Sequence, residues 1–118
     1  MICDTIVIGD FMKIVFASDH RGYKLKKELI VKIEKELGYD CLDVGCINDT
    51  RCDFPIFAIE ASEMVARKEA DYGIVICGSG DGVCIASNKV KGIRCTLVTT
   101  KEDAKRAKEH VNANVLAM

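Results

Sequence analysis

Cys77-Gly78-Ser79-Gly80-Asp81-Gly82 sets a thiol, a hydroxyl and a carboxylate among three glycines at alternate positions. The apolar run Ile74-Val75-Ile76 comes just before it. Glycines at such a place let the backbone turn tightly and approach a ligand closely. If a helix follows, its first N–H groups face an anion. A cysteine there could act as a nucleophile or as a base. Spacing alone leaves another reading open: a turn packed for structural reasons, with Cys77 as a small buried hydrophobe. The run is not G-x-G-x-x-G, which weakens a dinucleotide reading. Two further sets of residues could do chemistry. Asp19-His20 follows another apolar run, and His110 stands near the end of the chain. Taken singly, Asp19 and His20 read as a helix-capping turn, and His110 reads as a surface histidine favoured at a helix C-terminus.

These residues need a scaffold that brings them together. Five apolar runs predict strands: Lys13–Ala17, Asp40–Val44, Tyr72–Cys77, Ile93–Val98 and Asn114–Met118. Ile74-Val75-Ile76 and Thr96-Leu97-Val98 carry apolar residues on consecutive positions, as expected of a sheet covered on both faces. Helical periodicity fills the gaps. Leu25, Leu29, Ile30, Ile33 and Leu37 form one stripe, with Gly38 as its stop. Phe57, Ala61, Met64 and Val65 form another, opened by Pro55. Val83–Lys89 and Lys101–Glu109 complete the set. The alternation implies an α/β fold: a Rossmann-like three-layer αβα sandwich on a five-stranded parallel sheet with right-handed crossovers. Ligands of such sheets bind beyond the carboxyl ends of the strands, where this sequence is polar and rich in glycine. Met1–Phe11 fits the scheme poorly and reads as an N-terminal extension. Residues 12–118 read as a single domain.

Composition narrows the partners. The chain has 118 residues, 49% of them hydrophobic, which suits one compact core. Seventeen basic and 18 acidic residues give a net charge of -1, an argument against nucleic acid or an anionic membrane as partner. Arg21, Lys24, Lys26 and Lys27 read as a solvated helix face. The seven cysteines are odd in number, contain no C-x-x-C, and follow no signal peptide. Free thiols in a reducing cytoplasm fit them best. No metal-ligand spacing stands out.

Six segments, in order, carry a family resemblance. They are Ala17-Ser18-Asp19-His20-Arg21-Gly22, Asp43-Val44-Gly45, Asp53-Phe54-Pro55, Ile76 to Gly82, Ala86 to Arg94, and Glu109 to Leu116. The chain resembles the ribose-5-phosphate isomerase B family, which also contains galactose-6-phosphate isomerase subunits and an allose-6-phosphate isomerase. The resemblance covers about Met12 to Met118. It implies interconversion of an aldose phosphate and its ketose, ribose 5-phosphate and ribulose 5-phosphate, through a cis-enediol. Cys77 would be the base, and Ser79 would assist proton movement between the sugar oxygens. The N–H groups of Gly78, Ser79, Gly80, Asp81 and Gly82 would stabilise the enediolate. His110 with Asp19 would open the furanose ring, and His20 and Asn88 would hold substrate. No metal or cofactor is implied, and the assembly expected is a homodimer or a dimer of dimers.

The sequence departs from the family pattern in three places. Family members continue past the last strand into a helix bearing phosphate-binding arginines, which this sequence does not include. Phe54 replaces a usual tyrosine, and Val111 replaces a usual asparagine. These departures leave alternatives: a catalytically silent sugar-phosphate binder or partner subunit, or an isomerase of a hexose 6-phosphate. A flavodoxin-like nucleotide or flavin binder is a further reading, on fold analogy alone.

Overall fold

A computed structural model describes residues 12–47, 50 and 52–118; the expected extension Met1–Phe11 lies outside them. Strands β1 (Lys13–Ser18), β2 (Asp40–Asp43), β3 (Tyr72–Ile76), β4 (Cys95–Leu97) and β5 (Val115–Ala117) alternate with helices α1 (Tyr23–Leu37), α2 (Phe54–Ala66), α3 (Asp81–Asn88) and α4 (Lys101–Val111). All four strand pairings are parallel, in the order β2-β1-β3-β5-β4. The five strands and four helices stand where periodicity expects them; β2 to β5 are shorter than expected, whereas β1 runs one residue further, to Ser18. The glycine loop is also tighter than expected, because α3 begins at Asp81 rather than Val83.

The two faces of the sheet are covered differently. Val15, Ala17, Val75, Val115 and Ala117 meet Ala58, Ala61 and Val65 of α2 and Val83 and Ala86 of α3. The small residues on α2 let that helix sit close to the strands. On the opposite face Ile14, Phe16, Ile74 and Ile76 pack under Leu29, Ile30 and Ile33 of α1. Ala107 of α4 packs with Val98 and Ala113. Alternate residues of β1 and β3 therefore serve different layers, as a doubly covered sheet requires.

Lys26 corrects the expectation of a solvated helix face. It is fully buried, whereas Leu25 beside it is exposed. Its Nζ donates to Asp43 Oδ1 at 2.8 Å and to the Cys46 carbonyl. Burial pushes this ammonium below the usual lysine range, and the hydrogen bond and charge of Asp43 offset only part of that. The pair ties α1 to the end of β2. Asp43 Oδ1 also accepts the Gly45 N–H at 3.1 Å.

The cysteines divide in a way that spacing does not show. Cys46 and Cys52 form a disulfide, which corrects the expectation of free thiols for this pair and removes that support for a reducing compartment. Cys84 and Cys95 pack between α3 and β4, with Cys84 Sγ 3.6 Å from the Cys95 carbonyl oxygen. Burial pushes the Cys95 thiol upward, and it pushes that of Cys41 to about 11. Neither supplies a thiolate at neutral pH.

Asn88 ends α3 and clasps the edge strand. Its Nδ2 donates to the Cys95 carbonyl at 2.9 Å, and its Oδ1 accepts the Cys95 N–H at 2.8 Å. The side chain thus acts as a strand partner for β4.

Two stability predictions follow from these contacts. Lys26→Ala should cost about 3 kcal/mol, because it leaves a carboxylate and a carbonyl at a half-closed interface without their donor. Lys26→Met, which keeps the stem, should cost less. Chemical denaturation measures both, and a Lys26→Ala change within about 0.5 kcal/mol would refute the role. Asn88→Ala should lower stability by about 1–2 kcal/mol through two lost hydrogen bonds. Faster amide exchange at Cys95 would locate that loss.

Candidate active site

The order of strands reverses between β1 and β3, since β2 lies on one side of β1 and β3 on the other. Such a switch point opens a crevice beyond the strand ends. A cavity of about 430 Å³ lies there. The turn after β1 lines it with Asp19, His20 and Arg21; the turn after β3 with Cys77, Gly78, Ser79 and Gly82; and the approach to α2 with Cys52, Asp53 and Phe54. A second recess of about 430 Å³ on the α1/α4 side is mostly apolar, lined by residues such as Ile14, Tyr39, Ile74 and Leu116. Its titratable side chains are Tyr39, Tyr72 and Lys108, with no thiol, carboxylate or imidazole among its described lining residues.

Local hydrogen bonds shape each turn. Asp19 is buried, and its Oδ1 accepts the N–H groups of Arg21 at 2.9 Å and Gly22 at 3.0 Å. It closes a local turn ahead of α1 rather than capping it, since Gly22 is the N-cap and no side-chain hydrogen bond caps the helix, while still lining the cavity. His20 sets Nδ1 against the Cys52 backbone, 3.4 Å from the carbonyl oxygen and 3.5 Å from the nitrogen. The disulfide from Cys52 to Cys46 anchors that contact.

In the loop after β3 the Gly80 N–H points at Cys77 Sγ, at 3.1 Å. Gly80 has φ 84°, a left-handed conformation that favours glycine. Ser79 Oγ accepts the Asp81 N–H at 3.2 Å. The thiol thus sits beside the N-terminus of α3 with a backbone donor aimed at it. The N–H groups of Gly80 and Asp81 are taken inside the turn. Those of Gly78, Ser79 and Gly82 have no protein acceptor among the described residues. Gly82 lies under the Phe54 ring, which a Cβ would meet at 2.8 Å.

The sequence candidates are only partly brought together. Asp19, His20, Cys77, Gly78, Ser79 and Gly82 share the cavity. Gly80 and Asp81 shape the loop without lining it, and Gly80 faces Leu97 and Met118 instead. Asn88 is engaged with β4. His110 lines a separate recess with Leu97, Asp103 and Arg106, and the two cavities share no lining residue. The expected pairing of His110 with Asp19 is therefore not made within one chain. Four lining residues carry no site role from sequence: Arg21, Cys52, Asp53 and Phe54. Arg21 precedes the helix rather than lying on it, and its place directly after Asp19-His20 is the signal that separates it from the lysines downstream.

Comparison with known proteins places this geometry. Residues 14–118 match the Ribose/Galactose Isomerase family. A putative sugar phosphate isomerase of Bacillus subtilis is 43% identical over 108 residues, which cover 91% of this chain and 72% of the relative. Ribose-5-phosphate isomerase B of Escherichia coli is 39% identical over 105 residues, 89% of this chain and 70% of the relative. The solved structure of Clostridium thermocellum ribose-5-phosphate isomerase B superposes with a TM-score of 0.88 at 44% identity, over 91% of this chain and 72% of that one. A parallel sheet in this order, a thiol-bearing glycine loop at its switch point and these matches together show that the chain belongs to the ribose/galactose isomerase family.

Proposed function

We propose that the chain interconverts D-ribose 5-phosphate and D-ribulose 5-phosphate through a cis-enediol, with Cys77 as the base. The observation that carries this reading is the Cys77 sulfur at the switch-point cavity, with the Gly80 N–H directed at it. In the open-chain aldose the thiolate takes the proton from C2. The electron pair moves into a C1–C2 double bond, and the aldehyde oxygen becomes an enediolate oxygen. The N–H groups of Gly78, Ser79 and Gly82 offer donors to that oxygen, as an oxyanion hole does. The thiol then returns the proton to C1, while Ser79 Oγ assists transfer of the hydroxyl proton from O2 to O1. Asp19 and His20 line the same crevice and hold the sugar. The step needs no electron donor, because one carbon is oxidised as its neighbour is reduced.

Ring opening is assigned to His110. Its separate recess in one chain supports a homodimer in which a second copy brings His110 to the cavity. The family description spans both ribose and galactose substrates, so a hexose 6-phosphate is the competing substrate.

Two measurements test the reading. Cys77→Ala should lower kcat on ribose 5-phosphate by about 100-fold or more, the usual range for loss of a positioned base, with little change in KM. Equal rates would sink the base, and faster turnover of galactose 6-phosphate by the unaltered chain would move the substrate. Cys77→Ala mixed with His110→Ala should recover about a quarter of the wild-type rate, since random pairing puts one intact site in half of the dimers. No recovery would put both residues to work within one chain.

A further inference from the structure

We infer that Arg21 is the phosphate contact of this site. The inference rests on the sugar-phosphate reading above and adds the group that recognises the phosphate. Among the described residues, Arg21 is the one Lys or Arg side chain lining the cavity. A phosphate monoester carries close to two negative charges, and it would enter a crevice that already holds the carboxylates of Asp19 and Asp53. Without a cation there, repulsion would oppose binding.

Arg21 is exposed, and three observations bear on how its charge is held at the cavity wall. Its guanidinium lies on the backbone of Gly78, where a Cβ would come within 2.4 Å of Cζ. Glycine at 78 therefore makes room for the arginine, directly beside the Cys77 thiol. The Arg21 N–H is held by Asp19 Oδ1 at 2.9 Å, which fixes where the side chain starts. No carboxylate among the described residues lies within ion-pair distance of the guanidinium, although Arg67 and Arg106 are each paired with one. An unpaired, planar, permanently charged fork over a glycine loop suits bidentate capture of phosphate oxygens.

The test uses the full chain and inorganic phosphate as the probe, titrated by calorimetry. Arg21→Gln should bind phosphate about tenfold or more weakly than wild type, the loss expected for one charge-assisted contact. Arg21→Lys, which keeps the charge without the fork, should fall between them. In turnover, Arg21→Gln should raise KM for ribose 5-phosphate by a similar factor while kcat stays within about threefold. Its rate on unphosphorylated ribose should not change. Equal phosphate affinity in wild type and Arg21→Gln, or no phosphate binding by wild type, would overturn the inference. So would a fall in kcat with KM unmoved, which would put the guanidinium on the enediolate instead. A wild-type chain that binds phosphate through Arg21 but isomerises no phosphosugar would refute the proposed activity and leave the phosphate contact standing.

Discussion

Ser18 pairs with Ile76 where β1 and β3 run side by side, and the site depends on that register. The Asp19 N–H continues the ladder by donating to the Ile76 carbonyl at 3.1 Å. Asp19 and Cys77 are the next residues on each chain, so a carboxylate and a thiol leave the sheet side by side. The two turns then press together. A Cβ on Gly22 would meet the Ile76 side chain at 2.6 Å, so the turn after β1 closes over the end of β3 only with glycine there. A shift of one residue would exchange the faces of β1, bury the wrong set of side chains, and carry Asp19 and His20 away from Cys77.

Burial sorts the remaining polar groups around this junction. Lys26 is buried because its ammonium satisfies Asp43 and the Cys46 carbonyl at once. It holds the end of β2 and the start of the disulfide-bonded segment against α1. The disulfide continues to Cys52, whose backbone meets His20. A chain of contacts thus runs from a buried lysine to a histidine on the cavity wall. The thiols sort in the same way. Cys41 and Cys95 are held protonated by burial, while Cys77 is half-buried, lines the cavity and has a backbone N–H directed at its sulfur.

Local pattern made the scaffold legible. Consecutive apolar residues such as Ile74-Val75-Ile76 mark strands covered on both faces, and the stripe Leu29, Ile30, Ile33 marks a helix with one buried side. The loop from Cys77 to Gly82 was legible as a site because its chemistry is contiguous. What local pattern missed depends on partners distant in sequence. Lys26 sits at helical spacing with exposed lysines, and only Asp43 and Cys46 make it a buried residue. Cys46 and Cys52 match no spacing rule, yet the fold brings their sulfurs together. The family resemblance implies Asn88 as a substrate contact, but its side chain is engaged with β4. Arg21 shares a basic run with the helix lysines, although α1 begins two residues later. His110, expected beside Asp19, lines another recess.

The central claim is that one thiol, placed by the β1–β3 register, moves the proton between adjacent carbons. Proton exchange tests it most directly. The chain is incubated with ribose 5-phosphate in deuterated water, and NMR follows deuterium at C1 of ribulose 5-phosphate and C2 of ribose 5-phosphate. The account predicts deuterium at both carbons with the wild-type chain and none above background with Cys77→Ala. Deuterium entering at the wild-type rate in Cys77→Ala would contradict it.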